Sequence, residues 1–302
     1  MSLLICKLAK TDTSSIKFIN EEMAALKWKP GLEDLECYLS LDDPGVYVAK
    51  LDGVPIGSVC FYKYSSTYYS FGIFIVKKEY QGKGYGMKLF NTAMSEVDWS
   101  QIVSAYSVPE MVNKYARYGF EFRWMCKGYD VNISKALEIL TAMTFNPDLS
   151  VKNINEVDQE VLLRYDTAVF GYQRNNFILK WLHAKGRHAK VVVTDEGAIV
   201  GYVAARVLYV NEEGYRVGPL FADSTEVAQV LLKALFEDII SHGMSCSKSV
   251  IIQCPTEKNE NSETLMELLQ GRIYTEFVYM TTKGIPNGCF DKWYGITTTE
   301  LA

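Results

Sequence analysis

The chain has 302 residues, about two domains at roughly 150 residues each. At 48% hydrophobic and 13% aromatic, either half holds enough apolar material for a core, and 22% charge without a long like-charge block excludes a disordered tail as its main feature. The net charge of −5 argues against a duplex-binding surface, so no nucleic-acid partner is expected.

Leu3 to Leu8 reads as a strand, and Thr11-Asp12-Thr13 offers capping oxygens for a helix to about Leu26. Its apolar face is Ile16, Ile19, Met23 and Leu26. Pro30-Gly31 breaks the chain before a short helix, Leu32 to Leu39. Val46 to Leu51, the turn Asp52-Gly53, and Ile56 to Tyr64 make a hairpin. An almost wholly apolar strand, Tyr69 to Val76, leads into a glycine-rich turn and a helix from Tyr85 to Val97. Strand Ile102 to Tyr106, a helix from Pro109 to Tyr118 and strand Phe120 to Tyr129 complete the first half. The class is α+β, a mixed and mostly antiparallel sheet flanked by helices.

Residues 133–148 form a helical connector ending at Asn146-Pro147-Asp148, and 149–302 repeat the order of 1–132. Strand Val151 to Ile154 precedes helices Asp158 to Phe170 and Asn176 to His183. A hairpin (Val191 to Thr194, Ile199 to Tyr209) leads to strand Val217 to Phe221 and a long helix, Ser224 to Ile240. Strand Val250 to Gln253, helix Ser262 to Leu269 and strand Tyr274 to Thr281 follow. Gly53 and Gly57 of the first hairpin recur as Gly197 and Gly201, both offset by 144 residues, which identifies two tandem copies of one fold.

No apolar run approaches the ~20 residues of a membrane span, and Lys7 interrupts a start too short for a signal peptide. A cytoplasmic protein with no membrane partner is expected. The seven cysteines lack a Cys-x-x-Cys pair and are expected to be buried and reduced. His183, His188 and His242 lie near no ligand cluster at metal spacing, so no metal is expected.

The strongest chemical signal is Gln81-Gly82-Lys83-Gly84-Tyr85-Gly86, between a buried strand and a helix. Closely spaced glycines let backbone N–H groups turn outward, and a helix amino terminus adds unpaired donors, so the segment suits a pyrophosphate. Lys83 and Lys88 supply local positive charge. No Ser or Thr follows a Gly-Lys, as a Walker loop requires, and Gly-x-Gly-x-Gly departs from the dinucleotide fingerprint.

Together with Tyr115-Ala116-Arg117-Tyr118-Gly119-Phe120, this segment resembles the GNAT superfamily of N-acetyltransferases. Trp28-Lys29-Pro30-Gly31-x-x-Asp34 and the run Gly214 to Asp223 look like a tandem subgroup with a divergent second domain. The resemblance implies that acetyl-coenzyme A binds along Ile75, Val76, Gln81, Gly82, Lys83, Gly84, Tyr85 and Gly86. It also implies that the Val76 N–H polarises the thioester carbonyl and that Tyr115 protonates the departing thiolate, with Tyr118 only packing. It implies further an acceptor that is a primary amine, on a small molecule or a protein. The base stays open among Glu21, Glu22, Asp34 and a water chain, because Gly72-Ile73-Phe74-Ile75-Val76 holds no acid.

The second copy has Asp223 near the helix start that answers the glycine loop, and Glu267 where Tyr115 would align. One coenzyme A per chain is therefore expected, on a first half able to bind it alone, with acceptor contacts partly from 149–302. Two other readings stand beside this one. They are a non-catalytic coenzyme A-binding or scaffold protein and an ATP- or NAD-binding domain.

Overall fold

The structure, a computed structural model, describes residues 2–210, 214–242 and 249–301; Cys246 lies outside them. The first half runs β1 (Leu3–Lys7), α1 (Thr13–Ala25), α2 (Asp34–Tyr38), β2 (Val46–Leu51), β3 (Val54–Lys63), β4 (Tyr68–Val76), α3 (Tyr85–Met94), β5 (Ile102–Ser107), α4 (Val112–Ala116) and β6 (Glu121–Asn132). After α5 (Ile133–Thr141), the second runs β7 (Ser150–Asn153), α6 (Gln159–Phe170), α7 (Asn175–His183), β8 (Arg187–Val193), β9 (Ile199–Val207), β10 (Tyr215–Ala222), α8 (Thr225–Ser241), β11 (Ser249–Cys254), α9 (Glu260–Leu268) and β12 (Arg272–Thr281). A last short strand, β13 (Trp293–Gly295), has no counterpart in the sequence reading.

Local chemistry sets most boundaries. Asp12 caps α1 by accepting from the Ser15 N–H, and the helix buries Ile16, Ile19 and Met23. Asp158 caps α6 on two N–H groups, and Gly171 ends that helix at φ 96°. The structure shortens α2, because Glu33 before it is left-handed at φ 61°. Only Val112–Ala116 of the expected Pro109 to Tyr118 helix is α-helical, after a 3₁₀ turn over Pro109–Met111. β8 starts four residues early, at half-buried Arg187–Lys190, where no apolar alternation marks a strand.

Among the described residues the two copies share one thirteen-stranded sheet, ordered β1-β2-β3-β4-β5-β12-β6-β11-β10-β9-β8-β7 with β13 on β10. Each half gives its last long strand to the other. β12 pairs with β5 (Val278↔Ser107 to Thr281↔Ser104), and β6 pairs with β11 (Asn132↔Ser249 to Lys127↔Cys254). β6 and β12 also pair with each other along most of β12. The halves are thus stitched by backbone hydrogen bonds, and one sheet face carries a core drawn from both, including Met23, Tyr38, Tyr62, Phe177, Trp181 and Trp293. Cys37, Cys60, Cys126 and Cys254 are buried and free, whereas Cys6 and Cys289, also free, are only half-buried, short of the burial expected for every cysteine.

Candidate active site

β4 and β5 pair in parallel from Tyr68↔Ile102 to Phe71↔Ala105, and there the pairing stops. Ile73 is left-handed at φ 47°, a conformation a β-branched residue rarely adopts, and the register on β3 shifts between Ser58 and Cys60. Beyond this bulge β4 follows β3 alone and leaves β5. The Lys77 N–H donates to the Ile56 carbonyl on the β3 side at 2.9 Å. By strand alternation, the Val76 N–H and carbonyl point the other way, into the opening between β4 and β5. The Val76 carbonyl accepts there from Gln81 Nε2 at 2.7 Å.

The glycine loop follows at once. Gly82 and Gly84 are left-handed, at φ 72° and 81°, and a Cβ added to either meets nothing within 4 Å. Gly84 is also the N-cap of α3 and brings no side chain to its first-turn N–H groups. Gly86 has a different reason, since its Cβ would lie 3.0 Å from the Val76 side chain where α3 crosses β4. Backbone donors open to solvent in a cradle that side chains would fill suit a pyrophosphate.

A cavity of about 840 Å³ joins these parts. α1 and the loop after it contribute Glu22, Leu26 and Trp28; β4 contributes Phe74, Ile75 and Val76. Gln81, Gly82, Gly84 and Gly86 line the cradle, and Met111, Lys114, Tyr115 and Tyr118 close the far wall. Of the sequence candidates, Lys83 and Tyr85 do not line it; Lys83 Nζ lies 5.5 Å from the Tyr80 ring. Lys88 is exposed on α3. Its basic lining residues are instead Lys78 and Lys114, which composition did not single out.

Tyr115 sits edge-on to Phe71, with ring centroids 5.6 Å apart, and burial pushes its hydroxyl up to about 12. Tyr118 packs against Phe90 at 5.1 Å as expected, and it lines the same cavity. Among the described residues Glu22 is the one acid lining the cavity, whereas Glu21 pairs with Lys17 on the helix surface.

Asp34 does not reach the cavity. It is fully buried and accepts from Arg187 Nη2 at 2.8 Å, Arg206 Nε at 3.0 Å and the Gly31 N–H at 2.7 Å. Burial alone would raise its carboxyl, but Arg206, Arg187 and Gly31 outweigh that and hold it below the usual carboxylate range. A carboxylate so occupied is a structural anchor and a poor base. Sequence reasoning missed its partners, although an arginine inside the apolar strand β9, Arg206, signals a buried carboxylate.

No described residue of 149–302 lines the cavity. The second half instead touches, from behind, the loop that carries Trp28. Tyr209 N–H donates to the Pro30 carbonyl, and the Leu32 N–H donates to the Val207 carbonyl, both at 2.8 Å.

In the second half, β10 and β11 pair in parallel only over Tyr215–Val217, and then the chain itself takes the opening. β13 pairs with β10 through Leu220↔Gly295 and Phe221↔Trp293, and the Ile296 N–H donates to the Gln253 carbonyl of β11 at 2.8 Å. Ser224 caps α8, and Thr225 Oγ1 lies 2.9 Å from the Tyr294 hydroxyl. Asp223 accepts from Tyr165 and pairs with Lys292 at 2.9 Å. Glu267 is exposed on α9.

The fold brings His188 of β8 to Asp238 and His242, a pair four residues apart at the end of α8, and the three offer ligand atoms within 4.8 Å of one another. Lys190 Nζ already holds the other Asp238 oxygen at 2.7 Å. No helix among the described residues is long and apolar enough to cross a membrane.

Comparison with known proteins gives the family and the fold. Family models described as acetyltransferase (GNAT) domains match residues 42–122 and 162–294. A holothin acyltransferase from a Pseudoalteromonas strain is 28% identical over 215 residues, 71% of this chain and 69% of its own. An uncharacterised N-acetyltransferase of Bacillus subtilis is 25% identical over 55% of each chain. Among solved structures, a putative acetyltransferase from Pyrococcus horikoshii superposes with TM-score 0.74 at 18% identity, covering 99% of this chain and 96% of its own. A tandem GNAT protein from the clavulanic acid biosynthesis pathway gives 0.68 at 15%, covering 94% and 100%.

Proposed function

Because the chain belongs to the GNAT acyltransferase family, as two such domains in tandem, we propose that its first half moves an acetyl group from acetyl-coenzyme A to a primary amine in a ternary complex. The observation that carries this reading is one cavity holding the open end of β4, the glycine cradle and Tyr115. Acetyl-coenzyme A supplies the thioester; the other tasks fall to the chain. Gly82, Gly84 and the first turn of α3 offer N–H donors to the pyrophosphate. The Val76 N–H faces the opening and stabilises negative charge developing on the carbonyl oxygen. The Tyr115 hydroxyl, pushed up by burial, stays protonated through the neutral range and gives its proton to the departing thiolate.

Glu22 beside Leu26 and Trp28 suits a protonated amine with an apolar body, and the carboxylate, directly or through water, takes the proton the amine must lose. The described cysteines are all free, which fits a reducing, cytoplasmic setting. The test is calorimetry with coenzyme A beside thiol release from acetyl-coenzyme A across a panel of primary amines. Binding without amine-dependent release would leave a non-catalytic binder, and stabilisation by ATP or NAD alone would overturn the assignment.

A further inference from the structure

We propose that Arg216 is a positioning residue for the acceptor wall, through which the second half and the segment Trp293–Leu301 hold Trp28 in place. This rests on the reading that Glu22, Leu26 and Trp28 form the acceptor end of the cavity.

Arg216 belongs to β10, is 2% exposed, and donates from its guanidinium to four acceptors. It donates to the Trp28 carbonyl at 3.3 Å, to Thr299 Oγ1 at 2.8 Å, to Glu300 Oε1 at 3.4 Å, and to Gln253 Oε1 of β11. Trp28 is the cavity residue of the set, whereas Thr299 and Glu300 belong to the segment that continues from β13. That segment is confined by two glycines. A Cβ at Gly218 would lie 2.3 Å from the Ile296 carbonyl oxygen, and one at Gly72 would lie 2.4 Å from the Glu300 carbonyl oxygen. Both distances are below any real contact, so the segment passes directly over the points where β10 leaves β11 and β4 leaves β5.

The loop it steadies needs an external hold. Lys27 and Lys29, either side of Trp28, are left-handed at φ 60° and 54°, a conformation that persists in non-glycine residues only when surroundings impose it. The Trp28 N–H donates to the Met23 carbonyl of α1 at 3.0 Å, the Pro30 and Leu32 backbone bonds to the second half fix the loop beyond it, and Arg216 holds the Trp28 carbonyl from the second half. A buried arginine also demands a buried acid, and Glu300 supplies it, which ties the loop to the seating of the last segment.

The experiment compares full-length wild type with the double variant Arg216→Gln/Glu300→Gln, which removes both charges together and leaves neither unpaired. Hydrogen exchange is read by mass spectrometry on peptides covering Leu26–Leu32 and Gln81–Lys88, with coenzyme A affinity measured alongside. Exchange of the loop should rise about tenfold while the cradle peptides and coenzyme A affinity stay within about twofold. With the best amine of the panel, KM for the amine should rise about tenfold at nearly constant kcat, the signature of lost acceptor positioning. Thr299→Val, a milder change, should move both readouts in the same direction by less. Unchanged loop exchange, or an equal rise in loop and cradle, overturns the proposal. If no amine supports turnover in the wild type, the acyl-transfer reading fails, and the exchange arm still decides the role of Arg216.

Discussion

Both halves build a place where two parallel strands part, after Phe71 in the first and after Val217 in the second, yet only the first remains open. In the first, Gly84 leaves the start of α3 uncapped by any side chain, and the bulge at Ile73 turns β4 away from β5. In the second, Ser224 caps α8, Asp223 is taken by Tyr165 and Lys292, and β13 lies where the opening would be. The lesson is that a duplicated fold loses a binding cleft in two ways that reinforce each other. Its donors acquire internal partners, and its volume acquires a permanent occupant from the same chain.

The strongest way to break the comparison is to separate the halves. Residues 1–132 alone would leave β5 without β12 and β6 without β11. The fragment should show no cooperative unfolding and no coenzyme A binding by calorimetry, and co-expression with 133–302 should restore both. This reverses the expectation, natural from the tandem repeat, that the first half binds the cofactor by itself. Exchanged strands make the two copies one folding unit.

Next in size is the effect at the proposed proton donor. Tyr115→Phe should lower kcat by about 10²-fold or more, the range of general acid catalysis, with coenzyme A affinity within about twofold. Tyr118→Phe lines the same cavity and serves as the control, with little loss of rate. Equal losses would move the donor role off Tyr115. Smaller again is the cradle. Gly84→Val puts a branched side chain into open space at a left-handed position and should weaken coenzyme A binding at least about tenfold, roughly 1.4 kcal/mol. Unchanged affinity with intact circular dichroism would refute the cradle. The smallest effect sharpens the comparison from the other side. Lys292→Met removes one of the two partners of Asp223, leaving the Tyr165 hydroxyl and β13 in place, so titration should still give one coenzyme A per chain, and two would mean that the second cleft is only latched.

Much of this is legible in the sequence alone. Gln81 to Gly86 announced a backbone cradle because glycine enters the left-handed region without a Cβ clash, and the structure puts Gly82 and Gly84 there, whereas Gly86 serves close packing on Val76. Ile75, Val76, Tyr115 and Glu22 also fall on the cavity. Asp34 misled because a carboxylate in a helical segment looks the same whether it faces a substrate or two buried guanidinium groups. Arg187 and Arg206 lie more than 150 residues away, and no local pattern joins them to it.

The sequence by itself determined the local units, since helix caps, hairpin glycines and apolar periodicity act over a few residues and each leaves its mark in the residues it needs. It likewise determined that two copies follow one another and that only the first carries the glycine loop and its tyrosine. Which copy's strands pair with which was decided by the tertiary structure alone. β6 finds β11 and β12 across more than a hundred residues, and backbone hydrogen bonds carry no side-chain signature of their partner. The same holds for the occupant of the second cleft. Trp293–Gly295 is too short to read as a strand by alternation, and it becomes one only because β10 offers an unpaired edge when it leaves β11.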